Sequence, residues 1–200
     1  MTITKTYKSP ATPILVRNAE SIQAFGHLVA MPLALDQKIC HQSVENLNQL
    51  LADTMTLRDM YKKHHWQVSG PMFYPLHLLF DKHFEEQATL VDILAERIMT
   101  LGGVCIAMAH DVAEYTTIPR LPKDREVPDM QLSRLLQAHE ITLLSARSMA
   151  RQASDSGDEG TNDILVSNII RINEFQVWFV AQHLASIPKN VTECSESSRT

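Results

Sequence analysis

Apolar residues recur at helical spacing in four long stretches of the chain. Between about Asp36 and Val68, the residues Val44, Leu47, Leu51 and Met55 follow at intervals of three and four, and Leu50, Leu57 and Tyr61 widen the same side. Asp36 is placed to cap the first turn, and Ser69-Gly70-Pro71 breaks the run. A second stripe runs from about Tyr74 to Leu101 through Leu76, Leu79, Phe80, Phe84, Val91, Leu94, Ile98 and Leu101. Pro75 is tolerated in its first turn, which needs no backbone donor, and Gly102-Gly103 ends it. A connector of about 25 residues follows, broken by Pro119, Pro122 and Pro128. A loop that long usually packs or carries a short helix, and Asp111 to Tyr115 supplies the segment for one.

The third predicted helix spans about Asp129 to Ala153, with Leu132, Leu135, Leu136, Leu143 and Met149 inward. Ser154 to Gly160 reads as a polar loop. The fourth runs from about Thr161 to Ser186 through Leu165, Ile169, Ile172 and Phe179, and Pro188 closes it. No segment reads as a strand and no internal repeat is evident. The predicted fold class is therefore all-α: a ferritin-like four-helix bundle over residues 36–187, whose long crossover between helices two and three lets those two run parallel. Residues 1–35, interrupted by Pro10, Pro13 and Pro32, read as an N-terminal tail, and residues 188–200 as a polar, disordered C-terminal tail.

Composition narrows the function classes. The chain has 200 residues, 44% of them apolar, and a formal net charge of -5. That length buries a real core, and that charge disfavours a surface devoted to phosphate. Lys5, Lys8 and Arg17 make the N-terminal segment mildly basic, so it reads either as an arm without function or as a DNA-contacting arm multiplied over many copies. Cys40, Cys105 and Cys194 lie far apart and form no CxxC pair, which points to a reducing, cytoplasmic setting. No secretory leader is evident, and no uncharged apolar run reaches the roughly 18 residues of a membrane helix.

The chemistry gathers on the first two helices. His65 lies near the end of helix one, followed by Trp66. Helix two carries His77 and Asp81, then Asp92 and Glu96, each pair four residues apart and so on one face. Imidazole with carboxylate suits iron, manganese or zinc. Asp81 and Asp92 stand about 16 Å apart along a helix, too far for one metal, yet almost three whole turns, so both pairs face the same way. A two-fold axis across helix two near Glu86 and Gln87 brings the Asp92/Glu96 pair of one copy to the His77/Asp81 pair of the other. Each of two identical sites then gains His65.

These residues also carry a resemblance. His65-Trp66-Gln67-Val68-Ser69-Gly70, Phe73, Leu76-His77-Leu78-Leu79-Phe80-Asp81, Asp92-Ile93-Leu94-Ala95-Glu96-Arg97 and Leu101-Gly102-Gly103 together resemble the signature of the Dps mini-ferritins, strongly over about Leu47 to Gly103. The likeness continues weakly through Gly157 to Asp163 and Trp178 to Leu184. It implies a shell of twelve copies that oxidises iron(II), preferably with hydrogen peroxide, and stores ferric mineral. His65, His77 and Asp81 would come from one subunit and Asp92 and Glu96 from its partner, with zinc admissible at the same site. Trp66 would be an electron donor or a packing residue. Asp158, Glu159 and Asp163 would line an acidic pore or serve ordinary helix N-terminal chemistry. His64 and His83 are expected to face away from the site, His183 to be a core histidine, and Glu85 and Glu86 to be solvated. A DNA-binding architectural shell is the competing function.

Overall fold

A computed structural model describes residues 21–185. The expected tail spanning 188–200 and the basic residues Lys5, Lys8 and Arg17 lie outside them. All regular structure among the described residues is helical: α1 Gln37–Gln67, α2 Phe73–Thr100, α3 Ala109–Tyr115, α4 Pro128–Ser156, and a final rod made of α5 Glu159–Asp163, a π-helical segment Ile164–Ile170 and α6 Arg171–Gln182. Asp36 caps α1 by accepting a hydrogen bond from the Lys38 amide at 2.7 Å. Gly157 ends α4 at φ 82°, a left-handed position that glycine adopts without strain. The expected loop of residues 154–160 shrinks to Gly157 and Asp158, because the Asp158 carboxylate caps the next helix.

The crossover runs the length of the bundle. Near its start, Asn48 of α1 donates to the Val104 carbonyl at 3.1 Å and accepts from the Ile106 amide at 2.9 Å. Midway, the buried Asp53 accepts from Thr116 Oγ1 (2.9 Å) and from the Thr117 amide (2.6 Å) and hydroxyl (2.9 Å). At the far end Arg125 donates to the carbonyls of Gln67 and Val68, where α1 stops. So α4 starts at the end where α2 starts, and the two run parallel. Residues 21–35 lie along the opposite end: Val29 donates its amide to Gly102 at 2.9 Å, and Leu28 and Leu35 pack on the core. Gly102 has φ 83°, and a Cβ there would collide with the Val29 carbonyl.

Two apolar clusters fill the bundle. One centres on Leu47, Leu51, Leu94, Ile98, Leu165 and Ile169, the other on Leu57, Tyr61, Leu76, Phe80, Leu132, Leu135 and Val180. Between them lies a layer of buried polar side chains that includes His83, Gln87, His139, Asn173 and Gln176. Helices three and four depart from the expected inward faces here. On α4 the buried positions include Ala138, His139, Thr142, Ala146, Ala150 and Ala153, while Leu136, Leu143 and Met149 are only partly buried. In the last rod the wider π turn shifts the register, so Asn173, Gln176 and Val180 point inward and Ile172 and Phe179 sit at the margin. That rod, Glu159–Gln182, is long and apolar enough to cross a membrane by length and composition alone. It nonetheless carries Glu159, Asp163, Arg171 and Glu174, and one face is built into the bundle.

Candidate metal centre

His65 ends α1 and His77 begins α2, so the tight Ser69-Gly70-Pro71 turn brings them face to face. Their rings stack at 3.7 Å with 21° between planes. The Nδ1 atom of each lies within hydrogen-bond distance of the other residue's backbone carbonyl, His65 to His77 at 2.8 Å and His77 to His65 at 2.9 Å. A carbonyl only accepts, so both hydrogens sit on Nδ1, and both Nε2 atoms keep a lone pair for a metal. Asp81 lies one turn beyond His77. Its Oδ1 is 3.8 Å from His65 Nδ1 and accepts from Lys62 Nζ at 2.5 Å. The Lys62 hydrogen bond, and with it the Lys62 charge, holds the Asp81 carboxyl below its usual range against partial desolvation. Lys62, which the sequence pattern does not flag, also lies 4.5 Å over the Phe84 ring.

Asp92 and Glu96 lie further along α2, both exposed. The single chain does not bring them to His65, His77 and Asp81. Among the described residues, no group of three or more His, Cys, Asp or Glu side chains converges closely enough to hold a metal. Around the histidine pair the surface is apolar: Trp66 is 71% exposed, and Met72, Phe73, Tyr74 and Leu78 are exposed beside it. A contiguous apolar patch of that kind marks a contact surface.

The remaining flagged residues separate clearly. Asp158 is 2% exposed and fully engaged: Ser43 Oγ donates to it at 2.6 Å, Arg97 Nη2 at 2.6 Å and the Thr161 amide at 3.1 Å. Burial raises its pKa, but the bonds from Ser43 and Thr161 and the Arg97 charge more than reverse that. Glu159 and Asp163 are exposed, one turn apart. His64 and His83 are buried, away from the outward face of the His65/His77 pair, and neither ring meets a hydrogen-bond partner among the described residues. Desolvation lowers the pKa of each to about 4. His183 is exposed rather than in the core, because α6 ends at Gln182 and leaves it past the last turn. Glu85 is exposed, whereas Glu86 is partly buried and accepts from Gln176 Nε2 at 2.9 Å.

Sequence reading also missed the polar layer, since its members look like ordinary outward residues. Tyr61 Oη and His139 Nε2 are 2.5 Å apart, and His139 Nδ1 is 2.9 Å from Asn173 Oδ1. Gln87 Nε2 donates to Asn173 Oδ1 at 3.0 Å and to Gln176 Oε1 at 2.9 Å.

Known proteins share both the fold and the sequence. The ferritin-like domain family matches residues 44–190. The structure of DpsC from Streptomyces coelicolor is 48% identical, superimposes with a TM-score of 0.83, and the match covers 84% of this chain and 98% of that one. A Dps protein from Vibrio cholerae, described as a member of a broad superfamily of ferritin-like diiron-carboxylate proteins, is 27% identical with a TM-score of 0.74 over 78% of this chain and 99% of its own. DNA protection during starvation protein 2 of Bacillus anthracis is 31% identical over 72% of this chain and 97% of its own length. With its all-helical bundle, long crossover and histidine pair, the chain belongs to the Dps mini-ferritin branch of the ferritin-like family.

Proposed function

We propose that the protein oxidises iron(II) at di-iron sites shared between two copies of the chain, with hydrogen peroxide as preferred oxidant, and stores the ferric product inside a twelve-copy shell. The observation that carries this reading is the reciprocal bonding of His65 and His77. It spends both Nδ1 hydrogens on backbone and leaves two Nε2 lone pairs unused, one helical turn from Asp81. The in-phase Asp92 and Glu96 of an antiparallel partner helix would complete the donor set, and the exposed apolar rim of Trp66, Phe73, Tyr74 and Leu78 supports burial of this face by that partner. Iron is the substrate. Two iron(II) ions held together supply the two electrons that reduce one hydrogen peroxide and two protons to two waters, so no hydroxyl radical is released. Carboxylate oxygens favour the iron(III) product. Zinc fits the same donors and would act as a competitor. Of the three acids expected at a pore, the exposed Glu159 and Asp163 are the ones free to attract cations, with Asp158 holding the helix start in place.

The test is anaerobic iron(II) loading of the assembled protein, followed by peroxide, with ferric formation read optically. Wild type should oxidise iron rapidly, and His77→Ala and Glu96→Ala should lose most of the rate. Unchanged rates in both variants would refute the site. The second reading, DNA binding, is favoured by the name of the Bacillus anthracis relative. A gel-shift series across salt decides it: tight binding that collapses steeply with salt supports it.

A further inference from the structure

Tyr61 and His139 form a buried pair in the bundle interior and are not among the residues proposed to bind metal. Its protonation pattern follows from its neighbours. Asn173 donates its Nδ2 to the Ile169 carbonyl at 2.7 Å, so its Oδ1 is the atom facing His139 and Gln87. An amide oxygen only accepts. His139 therefore carries its hydrogen on Nδ1, Nε2 is a bare acceptor, and the Tyr61 hydroxyl donates to it across 2.5 Å. Both side chains are wholly buried. Tyr61 also lies one turn before His65 on α1, about 6 Å along the helix axis, and its ring is 6.1 Å from Phe80, the neighbour of Asp81.

A phenol with a base already aligned on its proton is easy to oxidise, because the proton moves as the electron leaves and no buried cation radical has to form. We propose that Tyr61 is a redox-active side chain that supplies one electron to the adjacent metal centre while its phenolic proton passes to His139 Nε2. This rests on the iron-oxidising reading above. The need arises when peroxide meets a site holding a single iron(II). Peroxide and two protons take two electrons to become two waters. Iron(II) gives one in becoming iron(III). Tyr61 gives the other, losing its O–H bond and becoming a neutral phenoxyl radical, while His139 becomes an imidazolium. Burial makes His139 a weak base, its pKa lowered to about 3, but an oxidised phenol is a far stronger acid than that. The new charge stays bonded through Nδ1 to Asn173, whose oxygen Gln87 also holds in place. Tyr61 is set apart from the aromatic residues at the surface by the imidazole already aligned on its hydroxyl.

The experiment is freeze-quench electron paramagnetic resonance on the assembled protein, loaded anaerobically with one iron(II) per site and mixed with peroxide. Iron(III) is measured in parallel. Wild type should give a phenoxyl signal that narrows in protein grown on ring-deuterated tyrosine. Tyr61→Phe should lose it, and Tyr74→Phe and Tyr115→Phe should keep it. His139→Gln retains a hydrogen-bond acceptor but not a base, and should also lose most of the signal while still oxidising iron when two iron(II) are present per site. Iron(III) formed without any tyrosine radical, a tryptophan radical alone, or an undiminished signal in Tyr61→Phe would each overturn the assignment while leaving the iron-oxidising reading intact. A wild type that forms no iron(III) at all would overturn both.

Discussion

At the scale of single residues, the unexpected participant is Lys62. It sits on Asp81 at 2.5 Å, in the place where a metal would draw charge from that carboxylate. Iron(II) bound at the proposed centre would compete with it for Asp81. Both partners are partly exposed, and such pairs are worth at most about 1 kcal/mol. Lys62→Gln should therefore tighten anaerobic iron(II) binding by no more than about five-fold, read by equilibrium titration; weaker binding would show that Lys62 helps to hold the site. His139 gives a second residue-level test. Its folded-state pKa of about 3 lies below the ordinary value of 6.5. The unfolded chain thus takes up a proton that the native chain refuses. The stability tied to neutral His139 is full above about pH 6.5 and is lost as the pH falls through 6.5 toward 3. In His139→Gln, the slope of unfolding free energy against pH between about 4 and 6 should fall by about one proton, near 1.4 kcal/mol per pH unit. Denaturant melts across that range measure it, and an identical slope would contradict a buried neutral imidazole.

At the scale of elements, the start of the last rod hangs on one ion pair. Arg97 of α2 reaches the 2%-exposed Asp158, and Gly160 lies close under the guanidinium. Arg97→Met strands a buried carboxylate and should cost about 3 to 5 kcal/mol, seen as a lowered melting temperature, whereas Arg147→Met, at an exposed pair with Glu174, should cost under about 1 kcal/mol. This also marks what was legible beforehand. Ends announced by local chemistry were readable: Asp36 as a cap, Ser69-Gly70-Pro71 as a turn, Gly102-Gly103 as a stop. For Asp158 the helix N-terminal alternative holds, since it caps the next helix, but its burial was not legible because Ser43 and Arg97 are 115 and 61 positions away. On the last rod Leu165 and Ile169 are buried as expected, but Ile172 and Phe179 are not, because the π segment Ile164–Ile170 breaks the 3.6 period. On α4 the core-facing positions hold Ala146, Ala150, His139 and Thr142, so a search for large apolar residues follows Leu136 and Leu143 to its edge. The closeness of His65 to His77 and Asp81 was readable because a short turn and one helical turn bring them together.

At the scale of the whole molecule, the proposed centre is a property of two chains, and this can be tested without a structure of the dimer. Co-expression of His77→Ala with Glu96→Ala in equal amounts gives mixed dimers. One of their two sites then lacks both residues and the other is intact. Random pairing should restore about a quarter of wild-type sites, measured as peroxide-dependent ferric formation, although each variant alone is nearly inactive. No restoration would contradict a site shared between two chains. The Lys62–Asp81 pair has its own consequence for such a particle. Because Asp81 is held ionised before any metal arrives, filling its position exchanges one cation for another rather than a cation for a proton. A shell of these sites would load like an ion-exchange resin: sensitive to competing cations and ionic strength, and, at Asp81, indifferent to mild acid.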